Sequence, residues 1–394
     1  MAYARRSADD NGVLADHAHG GGRRLRGSQL RHRGLVGVAD CEDGGGGCEL
    51  ARSPWMLAKL WQPRRLAPLA TAAAFFAVGY AYQASMSQLA AAEAASAAVS
   101  MIGKHAVVVG GTSGIGHGIA LRLARSGCSV TIVGRSESRG DAIVESMATT
   151  AAEQKHAFLK LDAFSLKACG TLAEQLGAGG KPLDLLVLSQ GMATLQKHTP
   201  VRETGLDQKL SLHVYSRALL ASALAPMLAR SPDPRVLSVL SAGVHGSYEG
   251  SSLELLKGYS IANAADAAGF YTDIYLEALS EAHPKVSFLH ACPGFVSTRW
   301  GTEMPAPLRW LIRGMQKLGG RSKEACGEYL FKGLYRPEFR GGEGGGGFHL
   351  LDQYGEPGPT TAAKHSERKT EVWSHIQAVL ARGGSVEGRT PDHA

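Results

Sequence analysis

Residues 104–118, reading Lys-His-Ala-Val-Val-Val-Gly-Gly-Thr-Ser-Gly-Ile-Gly-His-Gly, constrain this chain more than any other stretch. Ala106–Val109 is a short, uncharged, largely β-branched run of the kind buried on both faces of a parallel sheet, and it breaks into glycines that open directly onto Ile119-Ala-Leu-Arg-Leu-Ala-Arg. The order is strand, tight turn, helix. Gly110, Gly114 and Gly116 permit the bend, the close approach of backbone to a ligand and tight helix-strand packing, while Thr112, Ser113 and Ile115 complete the turn. The free N–H groups of a helix start attract a diphosphate. A second apolar run at Ser129–Val133 closes a β-α-β unit.

The rest of the chain repeats that alternation. Strands are expected at Ala106–Val109, Val130–Val133, Ala157–Leu161, Leu183–Leu188, Arg235–Leu240, Val286–His290 and Phe348–Leu351. Helices are expected at Gly116–Ser126, Ser138–Glu153, Ser165–Leu176, Glu203–Leu228, Asn263–Ala282, Ser322–Tyr335 and Glu367–Ala381. This pattern predicts an α/β fold, a Rossmann-like doubly wound parallel sheet of about seven strands in a single domain over 101–385.

The first hundred residues have a different character. Residues 1–55 are rich in Gly and Arg, lack any helical or strand period and are expected to be a disordered leader. Residues 56–100 read as a targeting or membrane-anchor segment followed by an Ala-rich linker, because Leu66–Tyr82 is uncharged and mostly apolar. An organellar, mitochondrial presequence and a signal anchor facing the cytosol both suit this composition; without either the chain is cytoplasmic. The six cysteines, Cys41, Cys48, Cys128, Cys169, Cys292 and Cys326, show neither metal-ligand spacing nor a disulfide framework, so no metal is expected and a reducing compartment is. The net charge of +7 is dispersed and no basic stretch interleaves with aromatics, which excludes nucleic acid as a partner.

Nucleotide choice is read at the end of the second strand. Arg135 and Ser136 follow Gly134 there, with no carboxylate to repel a 2′-phosphate, so NADP(H) is the preferred cofactor and NAD(H) the alternative. From about Gly103 to Arg299 the chain resembles the short-chain dehydrogenase/reductase family. The resemblance rests on Gly110, Gly114 and Gly116, with Val109 where a threonine is usual; on Leu161-Asp162-Ala163; and on Pro293-Gly294-Phe295-Val296-Ser297-Thr298. It implies that Asp162 and Ala163 contact adenine, and that Pro293, Gly294, Val296 and Thr298 hold the nicotinamide carboxamide. After the fourth strand Ser189-Gln190-Gly191 stands where the family has Asn-Asn-Ala-Gly, and it still offers hydrogen bonds to the cofactor.

The motifs that carry chemistry depart further. Ser241 matches the serine that polarises the substrate carbonyl, whereas the family's helix asparagine falls in Ser211-Leu212-His213 and is missing. The candidate acid is Tyr259, and Asn263 takes the place of the lysine one helical turn on, which removes the cation that lowers a phenol's pKa. The amphipathic stretch Trp300–Leu318 lies where the family carries its substrate lid. The function expected is an NADP(H)-dependent oxidoreductase interconverting a carbonyl and an alcohol on an apolar small molecule, with membrane contact through 66–82 and homo-oligomerisation open. The alternative is a catalytically weak or inactive dinucleotide-binding sensor or scaffold of the same fold.

Overall fold

The structure, a computed structural model, describes residues 83–298 and 304–383. The leader over 1–55, the uncharged run 66–82, Trp300 and the tail after 383 lie outside the described residues. The strands are β1 (His105–Val109), β2 (Ser129–Gly134), β3 (Ala157–Lys160), β4 (Leu185–Leu188), β5 (Arg235–Val239), β6 (Ser287–Ala291) and β7 (Gly347–Leu351). They form one sheet in the order β3-β2-β1-β4-β5-β6-β7, parallel at every junction. The order reverses between β1 and β4, so the crevice beyond their carboxyl ends is where a doubly wound sheet binds its ligand.

Side-chain alternation assigns the two faces. Ala106 and Val108 turn to one core with Ile119 and Leu123 of α1 (Gly114–Arg125), Ile143 of α2 (Glu137–Ser146), and Leu330 and Phe331 of α7 (Lys323–Leu334). Val107 and Val109 turn to the other. There they meet Leu166 of α3 (Leu166–Ala178), Leu220 of α4 (208–228), Phe270 of α5 (Ile261–Ala282) and Val372 of α8 (His365–Ala381). Helix α4 is built from Gln208–Leu210, a π turn at Ser211–Tyr215 and Ser216–Leu228 in unbroken succession. It starts later than the sequence pattern predicts because the Asp207 carboxylate caps it, accepting from the N–H groups of Lys209 and Leu210.

Three further elements differ from expectation. Helix α2 stops at Ser146, and the chain beyond it is held by the buried Gln154, which accepts from the N–H groups of Thr150 and Ala151 and donates to the carbonyls of Ala124 and Cys128. The amphipathic stretch contains a helix, α6 (Ala306–Gly319), absent from the predicted set. Residues 83–96, read from sequence as part of a linker, are helical and bury Ala92 and Ser96. Ser96 hydrogen-bonds Glu328 of α7 and receives Arg122 Nη2 of α1 at 3.1 Å, over a buried Arg122–Glu328 ion pair of 2.5 Å. Among the described residues no helix is long and apolar enough to cross a membrane.

Candidate dinucleotide site

A cleft of about 800 Å³ opens at the carboxyl edge of the sheet. It brings together Gly110, Thr112, Ser113, Gly114, Ile115, Arg135, Asp162, Ala163, Ser189, Gln190, Gly191, Pro293, Gly294, Val296 and Thr298, residues drawn from five separate strand ends. Gly110 has φ +85°, and a Cβ on it would stand 2.6 Å from the Gln190 nitrogen, so the first turn of the loop admits only glycine. Gly116 lies behind the loop, where a Cβ would run into Ser189 Oγ and the Gly110 carbonyl. Ser113 caps α1 by position but makes no side-chain capping bond, which leaves the first N–H groups of the helix for a ligand.

The polar atoms fit a dinucleotide. Ser189 Oγ and Gln190 Oε1 are buried without a hydrogen-bond partner, an arrangement that costs about 1–3 kcal/mol per group unless a ligand supplies the bond. At the β2-β3 end stand Asp162, Phe164 and two arginines, Arg135, whose guanidinium lies 5.8 Å from the Phe164 ring centre, and Arg139. Arg139 was not singled out from the sequence, although its place one helical turn after Arg135 was a usable signal. Ser136 is the N-cap residue of α2 and is not part of the cleft wall.

At the β4-β5 end the wall includes His213 and Arg217 of α4. His213 Nε2 accepts from the Met192 N–H at 2.9 Å, and burial, with the charges of Arg217 and Lys209, pushes its pKa down to about 3, so it is neutral. Arg217 donates to Ser238 Oγ at 3.0 Å, to the Val239 carbonyl at 2.9 Å and to the Gln190 carbonyl.

The expected catalytic residues lie outside the cleft wall. Ser241 follows β5, and its buried Oγ has no partner. Its N–H donates to His290 Nε2 at 3.0 Å, which places the His290 proton on Nδ1, donated to Asp273 at 2.6 Å. The other Asp273 oxygen faces His245 Nε2 at 2.9 Å, while His245 Nδ1 faces the Gly246 carbonyl at 3.1 Å. With an acceptor at each nitrogen, His245 has its charged form favoured: burial opposes the charge, but the Asp273 bond and charge overcome this and raise its pKa. Burial likewise opposes the Asp273 charge, yet the two histidine bonds bring its pKa down to about 2. Facing atoms of the three groups lie within 4.8 Å of one another, and each ring nitrogen and each Asp273 oxygen makes one of these bonds. Across Gly269, the His245 ring faces Ser241 Oγ.

Tyr259 sits in the loop before α5. Its hydroxyl receives Lys209 Nζ at 2.8 Å, and Lys209 also donates to the Gln196 carbonyl at 2.7 Å. The cation missing at position 263 is thus supplied to this tyrosine by α4, yet burial, with Asp207 adding, still pushes the phenol up to about 12. Asn263 closes the start of α5, donating from Nδ2 to the Gly258 carbonyl at 2.8 Å.

The model of the short chain dehydrogenase family matches residues 104–307. The chain is a short-chain dehydrogenase. Among its relatives, an oxidoreductase of Emericella nidulans is 29% identical over 307 residues, covering 70% of this chain and 92% of the relative. The polyprenol dehydrogenase of Mus musculus is 29% identical over 300 residues, covering 73% and 87%. An alcohol dehydrogenase from the archaeon Thermococcus sibiricus, complexed with 5-hydroxy-NADP, superposes with a TM-score of 0.48 at 16% identity over 65% of this chain and 99% of that one. As a member of the family this short-chain dehydrogenase is an oxidoreductase, and its cofactor is a nicotinamide dinucleotide.

Proposed function

We propose that this short-chain dehydrogenase uses NADP(H) to interconvert a carbonyl and an alcohol on an apolar small molecule. The observation that carries the reading is the cleft itself, in which an uncapped helix start, orphaned polar atoms and a basic β2-β3 end converge on one volume. When bound, the dinucleotide supplies or accepts the hydride. The chain's own residues would cradle its diphosphate on the loop 110–116, take the 2′-phosphate on Arg135 and Arg139, and orient the nicotinamide end against Pro293–Thr298. An apolar substrate is supported by α6, which follows the cleft residues with Trp310, Leu311 and Met315 exposed while Ile312 packs inward. The mouse relative's polyprenol, a long apolar alcohol, belongs to the same chemical class.

Fluorescence titration tests this reading. NADPH is expected to bind at least tenfold more tightly than NADH, about 1.4 kcal/mol, and Arg135→Ala to remove most of that preference. Equal affinities in the wild type overturn the NADP(H) assignment. A second reading, a dinucleotide-binding sensor without turnover, is favoured by the placement of Tyr259 and Asn263 outside the cleft wall. Absence of turnover on a panel of apolar ketones and aldehydes, with NADPH binding intact, selects it.

A further inference from the structure

Arg217 is 1% exposed, lies in the cleft wall, and pairs with no carboxylate among the described residues. Burying an ion without a counter-ion is costly, and hydrogen bonds to two carbonyls and a hydroxyl meet only part of that cost. Its Nε is buried and has no partner at all. The remaining charges do not cancel it. His213 beside it is neutral, the phenol of Tyr275 is kept protonated by burial, and Asp273 is already matched by His245.

The place of this charge gives it a meaning. Arg135 and Arg139 stand at the β2-β3 end of the cleft, whereas Arg217 stands beyond β1, among Gly191, Met192, Val239 and Leu240 at the ends of β4 and β5. A dinucleotide lying along the cleft with its 2′-phosphate on Arg135 turns its nicotinamide end toward Arg217. The oxidised nicotinamide ring carries a positive charge and the reduced ring is neutral. A fixed, buried guanidinium repels the first and not the second.

We propose that Arg217 makes the cleft select the reduced form of its cofactor, so that NADPH binds more tightly than NADP+ and the potential of the bound couple is raised. This rests on the reading of the cleft as an NADP(H) site. The test is the pair of dissociation constants for the full chain, measured by NADPH fluorescence and by competition with NADP+. The wild type is expected to favour NADPH at least tenfold, which corresponds to a rise of about 30 mV for a two-electron couple. Arg217→Met should bring the two constants within about twofold of each other, and Arg217→Lys, which keeps the charge, should preserve most of the difference. A merely structural role for Arg217 weakens both forms by the same factor, and that result overturns the proposal. So does a wild-type ratio near one, which decides the matter even if Arg217→Met does not fold. Failure of the wild type to bind either form overturns the cofactor reading itself, whereas equal binding of both overturns only the role of Arg217.

Discussion

At the scale of single residues, the hydroxyl of Tyr259 is decided by its neighbours. Lys209 Nζ at 2.8 Å and the edge of His198, with ring centres 5.7 Å apart, tie it to the loop that carries Gln196. A phenol pushed up to about 12 is a poor proton donor at neutral pH. With its hydroxyl held by Lys209 and its ring outside the cleft wall, the tyrosine is expected to pack rather than to serve as the acid. Tyr259→Phe is expected to leave NADPH affinity unchanged and kcat within about threefold, at a stability cost of about 1 kcal/mol for the lost hydrogen bond. Steady-state kinetics on any carbonyl the protein turns over, with a denaturant titration beside them, check this; a hundredfold loss of kcat at unchanged affinity returns the tyrosine to the chemistry. The sequence could not have shown the pairing, since Lys209 lies 50 positions from Tyr259 and only the packing of α4 on α5 joins them. Gly110 and Gly116 were legible for the opposite reason: their contacts are made within one turn or at the end of the adjacent strand β4, whereas the neighbour of Gly114, Thr298, comes from the loop after β6.

At the scale of elements, the central strands were readable because β1, β4 and β5 are short apolar runs buried at almost every position, while the edge strands β3 and β7 are only partly covered. The helix over 83–96 was not, because alanine-rich composition suits a linker and a helix equally and the face that packs is narrow. Burial of Ala92 and Ser96 shows what it does. Ser96 sits on the Arg122–Glu328 pair, and a buried ion pair depends on every hydrogen bond that surrounds it. A chain beginning at Met101 uncovers that pair to water and removes the Ser96 bonds. It is expected to keep NADPH binding, whose cleft draws nothing from residues before 109, while losing about 1–3 kcal/mol of stability relative to a chain beginning at 83. Thermal melts of the two chains, with cofactor titration of each, provide the measurement; equal melting temperatures show that the helix adds nothing to the domain.

At the scale of the whole molecule, buried histidines set the pH range over which the fold holds. His213 is neutral at the cleft, pushed down to about 3 chiefly by burial, and His375 on α8 is brought down to about 4 by burial and the nearby Arg382. In the unfolded chain both take up a proton near 6.5, so below that pH the unfolded state binds protons that the folded state refuses. Stability therefore falls as pH drops from about 6.5 toward 4, at up to about 1.4 kcal/mol per pH unit for each histidine. Asp273 acts lower down: its depressed pKa contributes stability that is present above its unfolded value of 3.8 and is lost as pH falls toward 2. His245 works from the other side, since its raised pKa contributes stability that is full below 6.5 and is lost as pH climbs through the folded value. The sum is a maximum close to neutrality with a steep acid limb. Urea midpoints between pH 4 and pH 8 should trace that shape. His213→Gln, which can still accept from the Met192 N–H but takes up no proton when unfolded, should flatten the acid limb; a limb of unchanged slope in this variant removes His213 from the account.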